Sequence, residues 1–204
     1  MKYILGTKQN MTQVFDKDGI VSPVTVIEAT PSVVTFLRTE DKDGYKAVQL
    51  GYGNRKTKNV SKAVLGHGKG KGYKAIKEFR VDEVNHAIGD EITVETFAPG
   101  DIVEVSGITK GKGFQGVVKR HGFKGGPRSH GQKHSEREPG SIGGAGRDGG
   151  RVAKGKRMAG RTGGDRVTVK NLKVVAVDPS TNQIMVLGAL PGRRGTLLEI
   201  RSVK

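Results

Sequence analysis

Hydrophobic residues occur along both ends of this chain in short runs that are rich in Val, Ile, Thr and aromatic side chains. In residues 45–52 they come close to strict alternation, which is typical of a half-buried strand. Asp18-Gly19 and Asp43-Gly44 stand between such runs, and both pairs favour hairpin turns because they tolerate positive φ. The pattern predicts strands at residues 20–30, 32–40, 45–52, 78–81, 91–95 and 101–106, and again at 166–178, 183–187 and 196–203.

Helical periodicity is nearly absent from the sequence. The best candidate covers residues 61–65, with Ser61 as its N-cap, and the glycines that follow from Gly66 onward end it. Many short strands with regularly spaced turns predict a mainly β fold, either a small barrel or a sandwich. Because neither end of the chain has enough strands to close a barrel alone, we expect both ends to contribute to one sheet system.

The composition narrows the function classes. The 204 residues carry 36 Lys and Arg against 20 Asp and Glu, a formal charge of +16, and include no cysteine. The absence of cysteine excludes a disulfide scaffold, thiolate chemistry and a cysteine-based zinc site, and a protein this basic attracts polyanions. No apolar run approaches the roughly 18 to 20 residues needed to cross a bilayer. We therefore expect a cytoplasmic protein with no membrane partner.

Positive charge and glycine are concentrated in residues 107–166. This segment holds 15 Lys and Arg, only 4 Asp and Glu, 18 of the 32 glycines and 11 apolar residues. Because so few apolar residues cannot offset the entropy of ordering it, the segment is either disordered in isolation or held by a partner. The predicted organisation is a β-barrel domain from residues 1–106 and 167–204, with a basic glycine-rich insertion at 61–74, and a long irregular extension at 107–166.

A nucleic-acid interface is the function that this extension favours. Its cations recur every few residues, as neutralisation of a phosphate backbone requires, and the glycines between them permit close backbone approach. Folded RNA fits better than duplex DNA, because no helix is available for a major groove. The candidate RNA-binding residues are Lys69, Lys71, Lys74, Lys110, Lys112, Phe114, Lys119, Arg120, His121, Lys124, Arg128, His130, Lys133, His134, Arg137, Arg147, Arg151, Lys154, Lys156, Arg157, Arg161 and Arg166.

Three alternatives stay open at this point. Residues 111–116 match the Gly-x-Gly-x-x-Gly pattern of a dinucleotide-binding enzyme, but only five residues lie before the next glycine, Gly122, too few for the helix that would hold a pyrophosphate. A metal site is the second alternative, suggested by His121, His130 and His134, although the surrounding cations disfavour a bound dication. The third alternative is a packaging protein that binds any RNA or DNA. No acid–base pair or nucleophile motif indicates catalysis.

A series of motifs resembles the bacterial-type ribosomal protein L-three family, a universal family of the large ribosomal subunit. The motifs follow the family order and extend over essentially the whole chain. They are residues 4–8 and Phe15, residues 109–123, Gly126-Pro127, Ser129-His130-Gly131, residues 139–143, Gly155-Lys156, Met158-Ala159-Gly160, residues 166–169 and residues 188–192.

The resemblance implies a structural constituent of the large ribosomal subunit, not an enzyme, with no metal, no cofactor and no small-molecule substrate. It implies a closed barrel of the translation-protein type and an extension that runs through 23S-type rRNA toward the peptidyl transferase centre. The tip of that extension would be Ile142, Gly143, Gly144 and Ala145. It further implies early assembly near the 3′ end of that rRNA, beside ribosomal proteins L-fourteen and L-nineteen.

The chain departs from the family pattern at this tip. Many members carry a glutamine that is methylated on its side chain just after the Gly-Ser-Ile-Gly stretch, whereas Gly144, Ala145 and Gly146 follow that stretch here. Because no side-chain amide is available, we predict no methylglutamine. Mass spectrometry of the peptide ending at Arg147 would check this, since an added methyl mass would contradict it.

Overall fold

The computed structural model describes residues 1–144, 146 and 149–203, most of whose regular structure is strand. The strands are β1 (Tyr3–Phe15), β2 (Val21–Glu28), β3 (Ser32–Arg38), β4 (Ala47–Asn54), β5 (Tyr73–Arg80), β6 (Glu91–Ile92), β7 (Ile102–Ile108), β8 (Phe114–Gln115), β9 (Gly160–Arg161), β10 (Arg166–Asp178), β11 (Gln183–Leu187) and β12 (Leu197–Ser202). The helices are α1 (Glu40–Asp43), α2 (Lys62–His67) and α3 (Val117–His121). None of the helices in the described residues is long and apolar enough to cross a membrane.

Six antiparallel strands close into a barrel in the order β1-β12-β7-β10-β11-β2. The first strand closes it against the last, with Tyr3 opposite Arg201 and Thr7 opposite Leu197. Strands from both ends of the chain therefore build one barrel. The prediction of a mainly β fold with a small closed barrel is confirmed.

The barrel core follows from the alternation of side chains along its strands. Every barrel strand sends apolar residues inward, and full burial of one such side chain contributes about 1.5 to 3 kcal/mol. The completely buried members are Ile4, Ile27, Val103, Val105, Val174, Ile184, Val186, Leu198 and Ile200.

A second antiparallel sheet, in the order β5-β4-β3-β6, packs against the outside of β1. Tyr3 and Leu5 alternate with Ile4, so they face this sheet instead of the barrel interior. The Tyr3 ring stacks on Phe79 with centroids 5.2 Å apart. Because β1 is apolar on both faces in this part, it joins the two cores.

Several strand boundaries differ from the prediction. β1 begins at Tyr3. The hydrophobic pattern indicated only its end, because its residues from Thr7 to Gln13 are mostly polar. β5 begins at Tyr73 instead of 78, because its exposed lysines interrupt the pattern. The strand predicted at 91–95 stops at Ile92, since a 3₁₀ turn (Val94–Thr96) follows.

The helix predicted after Ser61 is present as α2. The Ser61 hydroxyl oxygen accepts a hydrogen bond from the amide of Val64, as an N-cap does. The helix continues to His67, two residues beyond the prediction, and ends at Gly68.

The chain divides into two compact units. The barrel unit comprises Met1–Ile108 and Arg166–Lys204, and the second unit, named the arm below, comprises Thr109–Asp165. The extension predicted at 107–166 includes Gly107 and Arg166, but here both are strand residues, with Gly107 opposite Val167 and Arg166 opposite Ile108. A Cβ at Gly107 would lie 2.7 Å from Cδ2 of Leu198, so any larger residue there would force this buried side chain to shift.

Candidate nucleic-acid interface

The arm starts as a two-stranded ribbon made from its own two ends. The amide of Thr109 donates to the carbonyl of Asp165 at 2.9 Å, and the amide of Lys112 donates to the carbonyl of Thr162 at 2.8 Å. β8 then pairs with β9, which places Phe114 opposite Arg161. Phe114 is 73% exposed, so this pair presents an aromatic ring and a guanidinium to the surroundings of the arm.

Arg120 and His121 converge on one backbone oxygen of the returning chain. Nη1 of Arg120 donates to the carbonyl oxygen of Met158 at 2.8 Å, and Nε2 of His121 lies 3.0 Å from the same oxygen. Because a carbonyl only accepts, this ring nitrogen carries the proton. We name this arrangement of Arg120, His121 and Met158 the clasp; it ties α3 to the chain segment that precedes β9.

Beyond α3 the arm forms a loop that folds back on itself between residues 122 and 140. The amide of Gly126 donates to the carbonyl of Glu136 at 2.9 Å. Gly125 has φ +77°, and a Cβ there would lie 2.2 Å from that carbonyl oxygen, so only glycine fits. Arg128 pairs with the carboxylate of Glu136 at 2.6 Å. This pair shows that one of the predicted RNA-binding cations already has an anionic partner in the arm.

The predicted tip is described in part. Gly143 forms an isolated antiparallel bridge with Val152, and the Ile142 side chain is 40% exposed. Gly144 is exposed as well. Ala145 and Arg147, both named in the prediction, lie outside the described residues.

Burial separates the arm from an ordinary globular unit. Of its described residues, only Val117 is buried. Two predicted histidines of the loop, His130 and His134, are exposed. The exposed cations that have no protein partner assigned above are Lys110, Lys112, Lys119, Lys124, Lys133, Arg137, Arg151, Lys154, Lys156, Arg157 and Arg161.

The predicted basic patch of the barrel unit divides into two parts. Lys69 and Lys71 line a cavity of about 220 Å³ together with Tyr73 and the exposed Ile88. Lys74 follows Tyr73 in β5, and since side chains alternate along a strand it points to the opposite face. The structure therefore brings together two of the three lysines.

Arg166 has an internal partner. It pairs with the carboxylate of Glu199, which is only 15% exposed and which Lys77 also approaches at 3.3 Å. Arg166 thus belongs to an ion-pair network on the barrel wall, a role that its position in the sequence did not indicate.

A cluster of aromatic rings beside Arg38, which itself pairs with Asp43 and Glu78, lies on the second sheet and was not predicted from the sequence. The centroid of the Phe36 ring lies 5.9 Å from the centroid of the His67 ring and 5.0 Å from the guanidinium carbon of Arg38. Rings of this kind stack on unpaired RNA bases. The signal could not be found in sequence, because His67 is brought to β3 only by the packing of α2.

The structure also bears on the enzyme and metal alternatives. A helix follows Gly116, but α3 has only five residues before Gly122, which adopts φ 73°, as the spacing of the glycines led us to expect. The carbonyl of Gly113 is bonded to the amide of Thr162, so this glycine of the motif belongs to the ribbon. Among the described residues no group of three His, Cys, Asp or Glu could hold a metal ion.

Comparison with known proteins identifies the family. The family model described as ribosomal protein L3 matches residues 75–185. The chain is 54% identical to the large ribosomal subunit protein uL3 of Roseiflexus sp. (strain RS-1), over 97% of this chain and 95% of that protein. It is 50% identical to the same protein of Acidothermus cellulolyticus, over 99% of this chain and 92% of that one. The chain therefore belongs to the ribosomal protein L3 family.

Proposed function

We propose that this protein holds 23S-type rRNA in place with its arm. As a member of its family it is a structural constituent of the large ribosomal subunit in the cytoplasm and not an enzyme. In the proposal the arm binds that rRNA near its 3′ end, joins it early in subunit assembly and stabilises RNA near the peptidyl transferase centre. The catalysis there belongs to RNA, and the protein fixes RNA positions.

The single observation that carries this proposal is the contrast between charge and burial in the arm. Thr109–Asp165 carries 14 Lys and Arg against 4 Asp and Glu, yet buries only Val117 among its described residues. A unit with so small a core gains most of its order from a partner, and exposed cations at short intervals suit a polyanion. Phe114 adds an exposed aromatic ring that can stack on a base. The clasp fixes the path of the backbone between α3 and Met158.

Lys69 and Lys71 form a second contact in this proposal. Their cavity combines two cations with the side chains of Tyr73 and Ile88, a combination that suits a phosphate together with the apolar face of a sugar or base. The resemblance to the family suggests that ribosomal proteins L-fourteen and L-nineteen are neighbours of this protein in the subunit.

Ultraviolet crosslinking in cells tests the proposal, with both the RNA sequence and the crosslinked peptide identified. We expect peptides from Thr109–Asp165 to be joined to a small set of large-subunit rRNA positions. Crosslinks scattered over unrelated transcripts would instead indicate a packaging protein. An absence of ribosomal RNA among the crosslinks would refute the proposal.

The salt dependence of binding gives an independent test on purified chain and rRNA fragments. If the arm makes about 6 to 10 phosphate contacts, affinity falls by about 10³ to 10⁵ between about 50 and 200 mM salt. A flat salt response would contradict phosphate neutralisation. Saturable binding of a free dinucleotide without RNA would favour the enzyme alternative.

A further inference from the structure

The end of the hairpin formed by β1 and β2 projects beyond the barrel sheet. β1 pairs with β12 only over residues 3–7, and β2 pairs with β11 only from Val24 onward. Between Met11 and Ser22 the two strands pair only with each other among the described residues, and the carbonyl of Pro23 accepts a hydrogen bond from the amide of Gly188 at 2.8 Å. This part of the hairpin is therefore a two-stranded ribbon, and a ribbon alone is marginally stable in water.

One face of this ribbon is apolar and exposed. Phe15 stands opposite Val21, and Gln13 stands opposite Pro23, so by alternation these residues share a face with Met11. Met11 is 48% exposed, Phe15 is 64% exposed and Val21 is 45% exposed. Ile20, in the turn beside them, is 61% exposed. We name Met11, Phe15, Ile20, Val21 and Pro23 the hairpin patch.

The turn that carries the hairpin patch is held by its own hydrogen bonds. The carboxylate of Asp16 accepts from the amides of Asp18 and Ile20, both at 3.0 Å. The amide of Gly19 donates to the carbonyl of Asp16 at 3.1 Å, and Gly19 adopts φ 76°. Since the turn is ordered before any contact, a partner would not have to offset its ordering entropy.

The hairpin's own residues carry a charge opposite to that of the rest of the chain, and Lys173 of β10 lines a cavity together with Asp16. Residues 9–23 contain Asp16, Asp18 and a single lysine, Lys17, and no arginine, whereas the whole chain carries +16. An RNA contact needs cations against phosphate, and a second copy of so basic a chain is repelled. An exposed apolar patch of this kind marks a contact with another protein.

We propose that the hairpin patch is a docking surface for a protein partner whose contact surface has an apolar cavity bordered by Lys or Arg. Phe15 and Val21 enter the cavity, and Asp16 and Asp18 face the basic border. This inference goes beyond rRNA binding, because it requires neither the arm nor the cavity of Lys69 and Lys71. It gives the barrel unit one surface for RNA and another for protein.

Photocrosslinking of the assembled large subunit tests this assignment. The full chain carries p-benzoylphenylalanine in place of Phe15, cells are irradiated, and the products are identified in purified large subunits. We expect one discrete protein partner. The matched control places the same group at Ile88, beside Lys69 and Lys71, where the proposed function predicts RNA. Crosslinks from position 15 to RNA, to a second copy or to nothing would each overturn the docking surface, whatever the control gives.

A pair of variants measures the strength of the contact. Phe15→Ser combined with Val21→Thr should weaken binding of the crosslinked protein by at least about tenfold and so lower its occupancy in purified subunits, because loss of even one large buried side chain has about that effect on a binding constant. Thr12→Ser, on the opposite face of the ribbon, is the control and should leave occupancy unchanged. The urea midpoint of each purified variant shows that the barrel still folds. Equal occupancy in folded variants of both kinds would overturn the proposal.

Discussion

The barrel unit buries side chains such as Ile4, Val105 and Ile200 completely, whereas in the described part of the arm only Val117 is buried. The barrel is held by apolar burial and by a sheet that closes on itself. The arm is held by backbone pairing, by the clasp and by the internal ion pair between Arg128 and Glu136. The difference leads us to expect that the barrel unit folds without the arm, whereas the arm gains much of its order from a partner.

Removal of the arm gives the strongest test of this division. Ile108 and Arg166 are paired neighbours, so an Asn-Gly turn can join them in place of Thr109–Asp165. We expect a cooperatively folded barrel whose rRNA affinity is lower by about 10³ or more, because the phosphate contacts are lost. Urea unfolding and filter binding measure the two effects. A variant that fails to fold would show that the arm is integral to the barrel core.

A matched pair of isoleucine substitutions compares the two units directly. Ile200→Ala removes a completely buried side chain of the barrel and should lower the free energy of unfolding by about 2 to 5 kcal/mol. Ile142→Ala changes a side chain that is 40% exposed in the arm and should change it by less than about 0.5 kcal/mol. Urea denaturation of the free proteins measures both. Similar losses would mean that the arm has a core of its own.

Two adjacent cations of α3 distinguish phosphate contact from internal structure. Lys119 is exposed, whereas Arg120 is bonded to the carbonyl of Met158. Lys119→Ala should reduce the slope of log affinity against log salt by about 1. Arg120→Met should weaken rRNA binding without that change in slope, because it opens the clasp. An equal drop in slope for both variants would show that the Arg120 guanidinium contacts phosphate.

The smallest expected effect is a pH dependence confined to the barrel unit. Burial raises the pKa of Tyr3 from 10.0 to about 12. The folded protein therefore favours the neutral phenol, and the stability that this group contributes is complete below about pH 10 and is lost as the pH rises toward 12. Tyr3→Phe should flatten the fall of the urea midpoint over that range. An unchanged fall in the variant would assign the alkaline instability to another group.

Residue pattern predicted the barrel because its strands obey local rules. Alternation at 45–52, the turn at Asp18-Gly19 and the N-cap at Ser61 each depend on neighbours within a few positions. β1 escaped prediction because its side chains between Thr7 and Gln13 are mostly polar, although the barrel needs the strand there. This part of the strand is held by its pairing with β2, from Thr7 opposite Glu28 to Phe15 opposite Val21.

The sequence was enough to predict where the basic segment lies, but not which of its cations have partners within the protein. Charge density located the basic segment, since counting residues requires no coordinates. The internal partners of Arg120, Arg128 and Arg166 depend on Met158, Glu136 and Glu199, respectively, and those pairings arise only when distant segments meet. A cation that neutralises phosphate and one that neutralises a nearby carboxylate have the same appearance in a sequence.

The pairing of β1 with β12 also sets the order of events during synthesis. The barrel closes only when Tyr3 meets Arg201, so its seam stays open until β12 has left the ribosome that makes the chain. Closure across so long a stretch is slow, because loop entropy must be overcome before the contacts form. The arm is complete by then, since Asp165 precedes β10, β11 and β12. The cationic segment is therefore available to polyanions before the barrel that carries it has finished folding.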